Sequence, residues 1–334
     1  MLPQRLFIQI TEECNLRCMF CSYWKRKDST NKLWFNYKLL FVKNVIYWLE
    51  SQNKDFRKSF RVILTGGEPF FNPDQVFSIA KICKNNNVAC DVNTNGSLLG
   101  INVDLVELIT SGLKVTISID SHKDYVHDNI RGRLGLFNHV IDVINRINSM
   151  KNVVKKPITL WVQSVLGDWN YKFIYEHIKF FKNLNVNGFL FQPLQYNFGV
   201  APPKLWYKNF YGFPNYDKDL LVALETLLDL KRKDDFVINS EQEIKSWKYY
   251  FENPERLVNQ TNICKAPEQN IIVDVEGNIS FCGWYEPTPK DKIGNIANTS
   301  IEEIWNGDIA LREKNKLKYC NKGCATAMCN VEWE

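Results

Sequence analysis

The sequence has no apolar run of the about 20 residues needed to cross a bilayer. Its first residues, Met1-Leu2-Pro3-Gln4-Arg5-Leu6-Phe7, lack the charged, apolar and small-residue order of a signal peptide. The expectation is a cytoplasmic chain away from membranes, which argues against a disulfide scaffold. Long blocks of one charge are missing too. The net charge of +5 comes from 42 basic and 37 acidic residues spread along the chain. The basic triplets Lys25-Arg26-Lys27 and Lys231-Arg232-Lys233 read as solvated faces, and nucleic acid is not the expected partner. There is no internal repeat and no low-complexity tract. What is present is a 334-residue chain with 45% hydrophobic content, enough for one large core or for one large and one small.

Ten cysteines are many for a chain of this kind, and eight of them fall into two groups at opposite ends. Clustered reduced thiols point to metal rather than to staples. In Cys14-Asn15-Leu16-Arg17-Cys18-Met19-Phe20-Cys21 the spacing is C-x3-C-x2-C. A cubane iron–sulfur cluster normally takes four thiolates, so a cluster held here keeps one iron without a protein ligand. The alternative is a structural zinc site completed by a distant residue, although only Cys18 and Cys21 have the usual zinc spacing. Cys83 and Cys90 read as buried core thiols.

Up to about residue 195, short β-branched and aromatic runs alternate with segments of helical period, the signature of repeated βα units on a parallel sheet. Strands are expected at Arg5 to Thr11, Phe60 to Thr65, Val88 to Asn93, Leu113 to Ile119, Pro157 to Val165 and Gly188 to Gln192. Helices are expected at Asn36 to Ser51, Pro73 to Asn85, Val103 to Ser111, Leu136 to Ser149 and Asn170 to Asn183. One strand face carries Gln9, Thr11, Asp91, Asn93, Thr116, Ser118, Asp120, Trp161, Gln163 and Gln192. A solvent-exposed face would account for that polarity. Parallel units bury both faces, however, and the reading adopted is an α/β fold, a partial (β/α)6 TIM-type barrel whose polar lumen holds a polar cofactor. From Tyr196 to Tyr216 the chain is rich in aromatics, Pro and Gly; it is either a lid or a packed linker. A helix is expected at Asp217 to Lys231, followed by a polar segment with Glu241, Glu243 and Glu252.

The cysteine loop after a short first strand resembles the signature loop of the radical S-adenosylmethionine (SAM) superfamily, and further motifs follow in that family's order. Gly66-Gly67-Glu68-Pro69 resembles its GGEP motif, which implies that Gly66, Gly67 and Glu68 receive the methionine amino group, with Glu68 ordering the turn. Phe20 stands where the family seats adenine. Asn93-Thr94-Asn95-Gly96 and Ser118-Ile119-Asp120-Ser121 are similar to its sugar-contacting strand ends, which brings in Asn93, Ser118 and Asp120. His127-Asp128-Asn129-Ile130-Arg131-Gly132 resembles an HDxxRG loop in which the arginine, here Arg131, pairs with the SAM carboxylate; His127 reads as a helix cap. Gln163 and Gln192 complete the expected cofactor-binding set, and no catalytic side chain is assigned beyond the cluster. The resemblance implies a [4Fe-4S] cluster on Cys14, Cys18 and Cys21 with one open iron that SAM chelates. It also implies reductive cleavage of SAM to a 5′-deoxyadenosyl radical.

At the other end, Cys264 precedes an expected hairpin over 270–282 and a helix from Ser300 to Leu317, then come Cys320, Cys324 and Cys329. This resembles the SPASM and twitch extensions that bind auxiliary clusters, in a shortened form with five cysteines instead of seven. The implied auxiliary [4Fe-4S] cluster uses Cys264 and Cys282 with two of Cys320, Cys324 and Cys329, Cys324 first among them. A zinc knuckle is the alternative. The organisation expected is a barrel at 1–195, a connector at 196–262 and the auxiliary domain at 263–334. The expected activity is hydrogen abstraction from a peptide or natural product. Its alternatives are dehydrogenation of a carbohydrate or aminocyclitol and, outside enzymes, a zinc-stapled binding module or an electron carrier. Expected partners are that peptide or small-molecule substrate, a flavodoxin- or ferredoxin-type electron donor and, since thirteen residues precede Cys14, a separate leader-binding protein.

Overall fold

The computed structural model describes residues 1–25, 33–196, 203–255, 264–283 and 292–320. Cys324 and Cys329 lie outside the described residues. Six parallel strands form the body of the sheet: β1 (Arg5–Gln9), β2 (Arg61–Thr65), β3 (Ala89–Thr94), β4 (Lys114–Ser118), β5 (Thr159–Leu166) and β6 (Gly188–Pro193). They stand side by side in sequence order. The helices between them are α1 (Leu33–Gln52), α2 (Pro73–Asn85), α3 (Leu105–Thr110), α4 (Asp124–Arg131), α5 (Leu136–Val154) and α6 (Ile174–Asn183). The sheet does not close on itself, and the architecture is a partial barrel.

Alternation along the strands sets the two environments. Leu6, Ile8, Val62, Leu64, Val92, Val115, Ile117 and Val162 are wholly buried, and so are Val45, Ile46, Ile79, Val143, Ile144 and Phe181 of the surrounding helices. Apolar burial of this kind is the main favourable term in folding. The opposite strand face carries Gln9, Thr65, Asn93, Ser118, Gln163 and Gln192, all half-buried in the middle of a parallel sheet. Asp91 and Lys114 are joined across it, as are Gln163 and Gln192, so this is the lumen face.

After β6 come α7 (Lys218–Lys233) and α8 (Glu241–Glu252). The expected polar segment is therefore a helix. Ser240 and Glu243 cap it reciprocally, and Ile244, Trp247, Tyr250 and Phe251 form its buried stripe. The aromatic segment packs against it: Trp206 is buried, 5.2 Å from the Phe213 ring, which lies 5.5 Å from Phe251. Its residues 197–202 lie outside the described set.

The short helix α9 (Ala266–Gln269) leads into β7 (Asn270–Val273), which joins the free edge of β1 in parallel. The expected hairpin follows, with β8 (Asn278–Ser280) antiparallel to β7 and β9 (Gly294–Asn295) beyond it. One nine-stranded sheet thus runs through the residues expected to be separate domains. The single helix expected from Ser300 is two, α10 (Ile301–Asn306) and α11 (Asp308–Lys318), because Gly307 is extended and serves as cap to both. No helix among the described residues is long and apolar enough to cross a membrane.

Ile271 is wholly buried where β7 meets β1. Ile271→Ala is expected to lower stability by about 2 to 5 kcal/mol, the usual range for a core truncation. Hydrogen exchange should show protection falling in β1 as well as β7. Unchanged protection of Leu6 and Ile8 would contradict a shared sheet.

Candidate active site at the barrel mouth

The cysteine loop leaves β1 at the C-terminal mouth of the sheet and is held from two sides. On one side the turn after β2 approaches so closely that backbone bonds form, with Gly67 N donating to Thr11 O at 2.7 Å and Glu68 N to Glu13 O at 2.7 Å. A Cβ on Gly66 would stand 2.2 Å from Thr11 O, and one on Gly67 2.1 Å from Glu13 O. These glycines are required by the loop that carries the thiols. On the other side, Arg17 N and Met19 N donate to Arg131 O and Ile130 O at the end of α4, at 3.2 and 3.0 Å.

Glu68 is fully buried and joins two segments, the turn after β2 and the end of β3, through its carboxylate. Phe70 N and the Thr94 hydroxyl donate to Oε1 at 3.1 and 2.7 Å, and Asn95 N donates to Oε2 at 2.7 Å. Burial pushes its pKa up to about 7, against the pull of those hydrogen bonds. Asn95 then turns its amide toward the thiols. Its Nδ2 lies 3.8 Å from Cys14 Sγ and 3.2 Å from Asn15 Oδ1, and Asn15 donates to Ser97 Oγ at 2.8 Å.

The HDxxRG stretch is helical. His127 sits inside α4 instead of capping it, and its Nδ1 accepts from Asp120 N at 3.1 Å. Asp128 accepts from Gly135 N and Phe137 N and so holds the start of α5. Arg131 is held by Asp120, to which its Nε and Nη2 donate at 2.6 and 3.0 Å. Nη1 faces Cys18 Sγ at 4.0 Å. Burial alone would lower the Arg131 pKa, but Asp120 holds it above its ordinary value. Asp120 is the centre of this contact. It is wholly enclosed, and Oδ1 accepts from Val165 N at 2.9 Å as well as from Arg131. Gly132, left-handed at φ 67°, closes α4 against Arg17.

Phe20 lies between two groups. The Trp169 ring stacks on it with centroids 5.9 Å apart, and the Arg131 guanidinium carbon is 5.3 Å from its centroid. Below the mouth, Asn93 is in register with Thr116 and Ser118 with Gln163, while Gln163 Nε2 donates to Gln192 Oε1 at 2.8 Å. Asn15, Asn95 and Trp169 are absent from the residues singled out by sequence. Asn95 stands two beyond Asn93, a period-two signal that could have found it; Trp169 acts through stacking across the chain and leaves no local trace.

Cys18 is buried and Cys14 and Cys21 are half-buried. Burial pushes the Cys18 thiol up to about 12, with Arg131 opposing and the two neighbouring thiols adding to the rise. Among the described residues no group of three potential ligands converges on a single ion. Three sulfurs on one rim, with guanidinium and amide donors aimed at two of them, fit an iron–sulfur cluster, whose potential depends on hydrogen bonds to sulfur. At the far end, Cys264 N donates to Lys318 O at 2.9 Å, which brings Cys264 beside the turn that carries Cys320.

Two measurements test this reading. Glu68→Ala leaves three donors facing a void and is expected to lower stability by about 3 kcal/mol or more, at 1–3 kcal/mol per stranded group. Glu68→Gln keeps the volume but sets an amide N–H against Asn95 N–H, so its loss in thermal unfolding should be smaller. Equal stability of Glu68→Ala and wild type would contradict the account. His127, buried, has its pKa pushed down to about 4 from 6.5, chiefly by burial. The unfolded chain therefore binds the proton first on acidification. This stabilising contribution is complete above pH 6.5 and drains between pH 6.5 and 4. Between pH 7 and 5 the drop in unfolding free energy should be about 2 kcal/mol smaller in His127→Asn than in wild type, at 1.36 kcal/mol per pKa unit; equal slopes would contradict it.

Comparison with known proteins agrees with this geometry. Residues 8–181 match the family model described as the Radical SAM superfamily, and residues 264–330 match that of the SPASM iron-sulfur cluster-binding domain. The antilisterial bacteriocin subtilosin biosynthesis protein AlbA of Bacillus subtilis is 21% identical over 92% of this chain, which spans 60% of AlbA's length. Among solved structures, anSMEcpe with bound AdoMet has a TM-score of 0.66 at 17% identity, covering 95% of this chain and 84% of its own. Streptococcus suis SuiB bound to precursor peptide SuiA has a TM-score of 0.66 at 16% identity, covering 99% and 76%. The chain belongs to the radical SAM superfamily, with a SPASM domain at its C-terminal end.

Proposed function

We propose that this chain binds SAM at the barrel mouth and modifies a ribosomal peptide or related natural product, by net oxidation, crosslinking or epimerisation, in the lumen below. The observation that carries the reading is the three-thiol loop, buttressed by Glu68 and Arg131, opening onto a polar inner face in a barrel that does not close. The peptide class is supported by the bacteriocin pathway named for AlbA and by the precursor peptide in the SuiB structure.

When bound, a [4Fe-4S] cluster and SAM supply a 5′-deoxyadenosyl radical able to abstract hydrogen. Cys14, Cys18 and Cys21 would hold that cluster, with Asn95 and Arg131 donating toward Cys14 and Cys18. The half-buried Gly66 and Gly67 offer backbone groups to the methionine moiety, Phe20 an aromatic side chain beside adenine, and Asn93 and Ser118 polar groups to the sugar. Gln163 and Gln192 line the lumen beyond. Enclosure by the barrel limits water at the reacting carbon. Cys264 and Cys282, with two of Cys320, Cys324 and Cys329, would hold a second cluster as electron acceptor, which suits a net oxidation. A flavodoxin- or ferredoxin-type protein would supply the electron that starts the reaction, and a leader-binding protein could deliver the peptide.

The anaerobically reconstituted chain, given dithionite and SAM, is expected to release 5′-deoxyadenosine, quantified by chromatography. Cys18→Ala should abolish it, since the cluster then keeps two ligands in the loop. No product from the wild-type chain, or undiminished product from the variant, would overturn the proposal.

A further inference from the structure

On the floor of the lumen, among the described residues, two cations share a single carboxylate. Asp91 on β3 is met by two cations on the neighbouring strands, Arg61 Nη1 at 2.9 Å and Lys114 Nζ at 2.7 Å, and both take the same oxygen, Oδ2. Lys114 is well shielded, its side chain 15% exposed, with Nζ 3.7 Å from the centroid of the Trp161 ring. Burial lowers its pKa even with Asp91 in contact, so one carboxylate does not compensate its desolvation. The group is no sealed ion pair, because the Arg61 side chain is 42% exposed and Ile63, Asn93 and Gln163 above it on the inner face are half-buried, Thr116 being buried.

The geometry points to Arg61 and Lys114 as an anion-binding floor that receives a carboxylate of the substrate. A carboxylate there would accept from both cations, as guanidinium and ammonium groups do in charge-assisted pairs. Lys114 and Ser118 are four residues apart on β4, which at about 3.3 Å per residue puts the floor about 13 Å below the mouth. An extended peptide covers that span in about four residues. The anchored carboxylate therefore acts as a ruler, setting which carbon of the substrate reaches the mouth. This rests on the reading of the lumen as the substrate chamber, and it adds the chemical class that the chamber selects. The carboxylate can belong to an acidic side chain, a peptide C-terminus or a small acid.

Calorimetric titration of the reconstituted chain separates these sources. The probes are acetyl-Ala-Ala-Glu-Ala-Ala-amide, its Gln analogue, that analogue with a free C-terminal carboxylate, and glutarate. At least one carboxylate probe is expected to bind about tenfold or more tighter than the neutral Gln amide, a difference of about 1.4 kcal/mol, and the one that does so names the source. Lys114→Met should remove that preference, and Arg61→Gln, at a half-exposed position that folding tolerates, should weaken it in the same direction. Equal binding of charged and neutral probes, binding of none, or wild-type preference in both variants would overturn the inference. Release of 5′-deoxyadenosine by the wild-type chain, measured alongside, reads the SAM chemistry separately from carboxylate selectivity.

Discussion

Asp120 and Arg131 form a buried ion pair on which the mouth of the barrel converges. The carboxylate also accepts from Val165 N at the end of β5, and the backbone carbonyl of Arg131 receives Arg17 N of the cysteine loop. One pair thus ties the end of β4 to β5, to α4 and to the segment that carries the thiols. Two buried charges of this kind need not add net stability, since desolvation offsets much of their attraction. Their value here is positional. A guanidinium fixed by a bidentate contact keeps its remaining edge toward Cys18, and its face toward Phe20.

Glu68 does for the opposite side what Asp120 does here. It is a carboxylate without a cation in hydrogen-bond contact among the described residues, stabilised by backbone and hydroxyl donors from the turn after β2 and from the end of β3. With the glycines that let the turn approach the loop, it fixes the height of Cys14 relative to Asn95. The thiol loop is therefore held by polar contacts from both flanks, while the apolar face of the same strands anchors the helices outside. The separation of the two faces lets the barrel keep hydrogen-bonding groups half-buried in its middle without weakening its core.

The strands and most of the barrel helices were legible because their burial follows the simple periods of two and 3.6. The helix α4 was not, because it is short and buries the polar His127, Asp128 and Arg131 beside Ile130, which breaks up the apolar stripe that marks a helix. For α8 the signal was present: Ser240 and Glu243 have capping-box spacing, and Ile244, Trp247 and Phe251 follow at helical intervals, beneath a surface of Glu and Lys. Joining of β7 to β1 pairs residues more than 260 positions apart, and no local pattern encodes it. At the site, the motif segments come together at the barrel mouth, while the contacts that hold each side chain were not legible. Asp120 and Arg131 satisfy each other, a relation visible only once α4 folds back over the strand end.

That the Cys14 to Cys21 loop holds a cluster with one iron open to SAM is tested most directly by electron paramagnetic resonance of the reduced, reconstituted chain. Addition of SAM should shift the signal of one [4Fe-4S] cluster, and that signal should be missing from Cys18→Ala. A spectrum indifferent to SAM, or a SAM-responsive signal that survives Cys18→Ala, would contradict it.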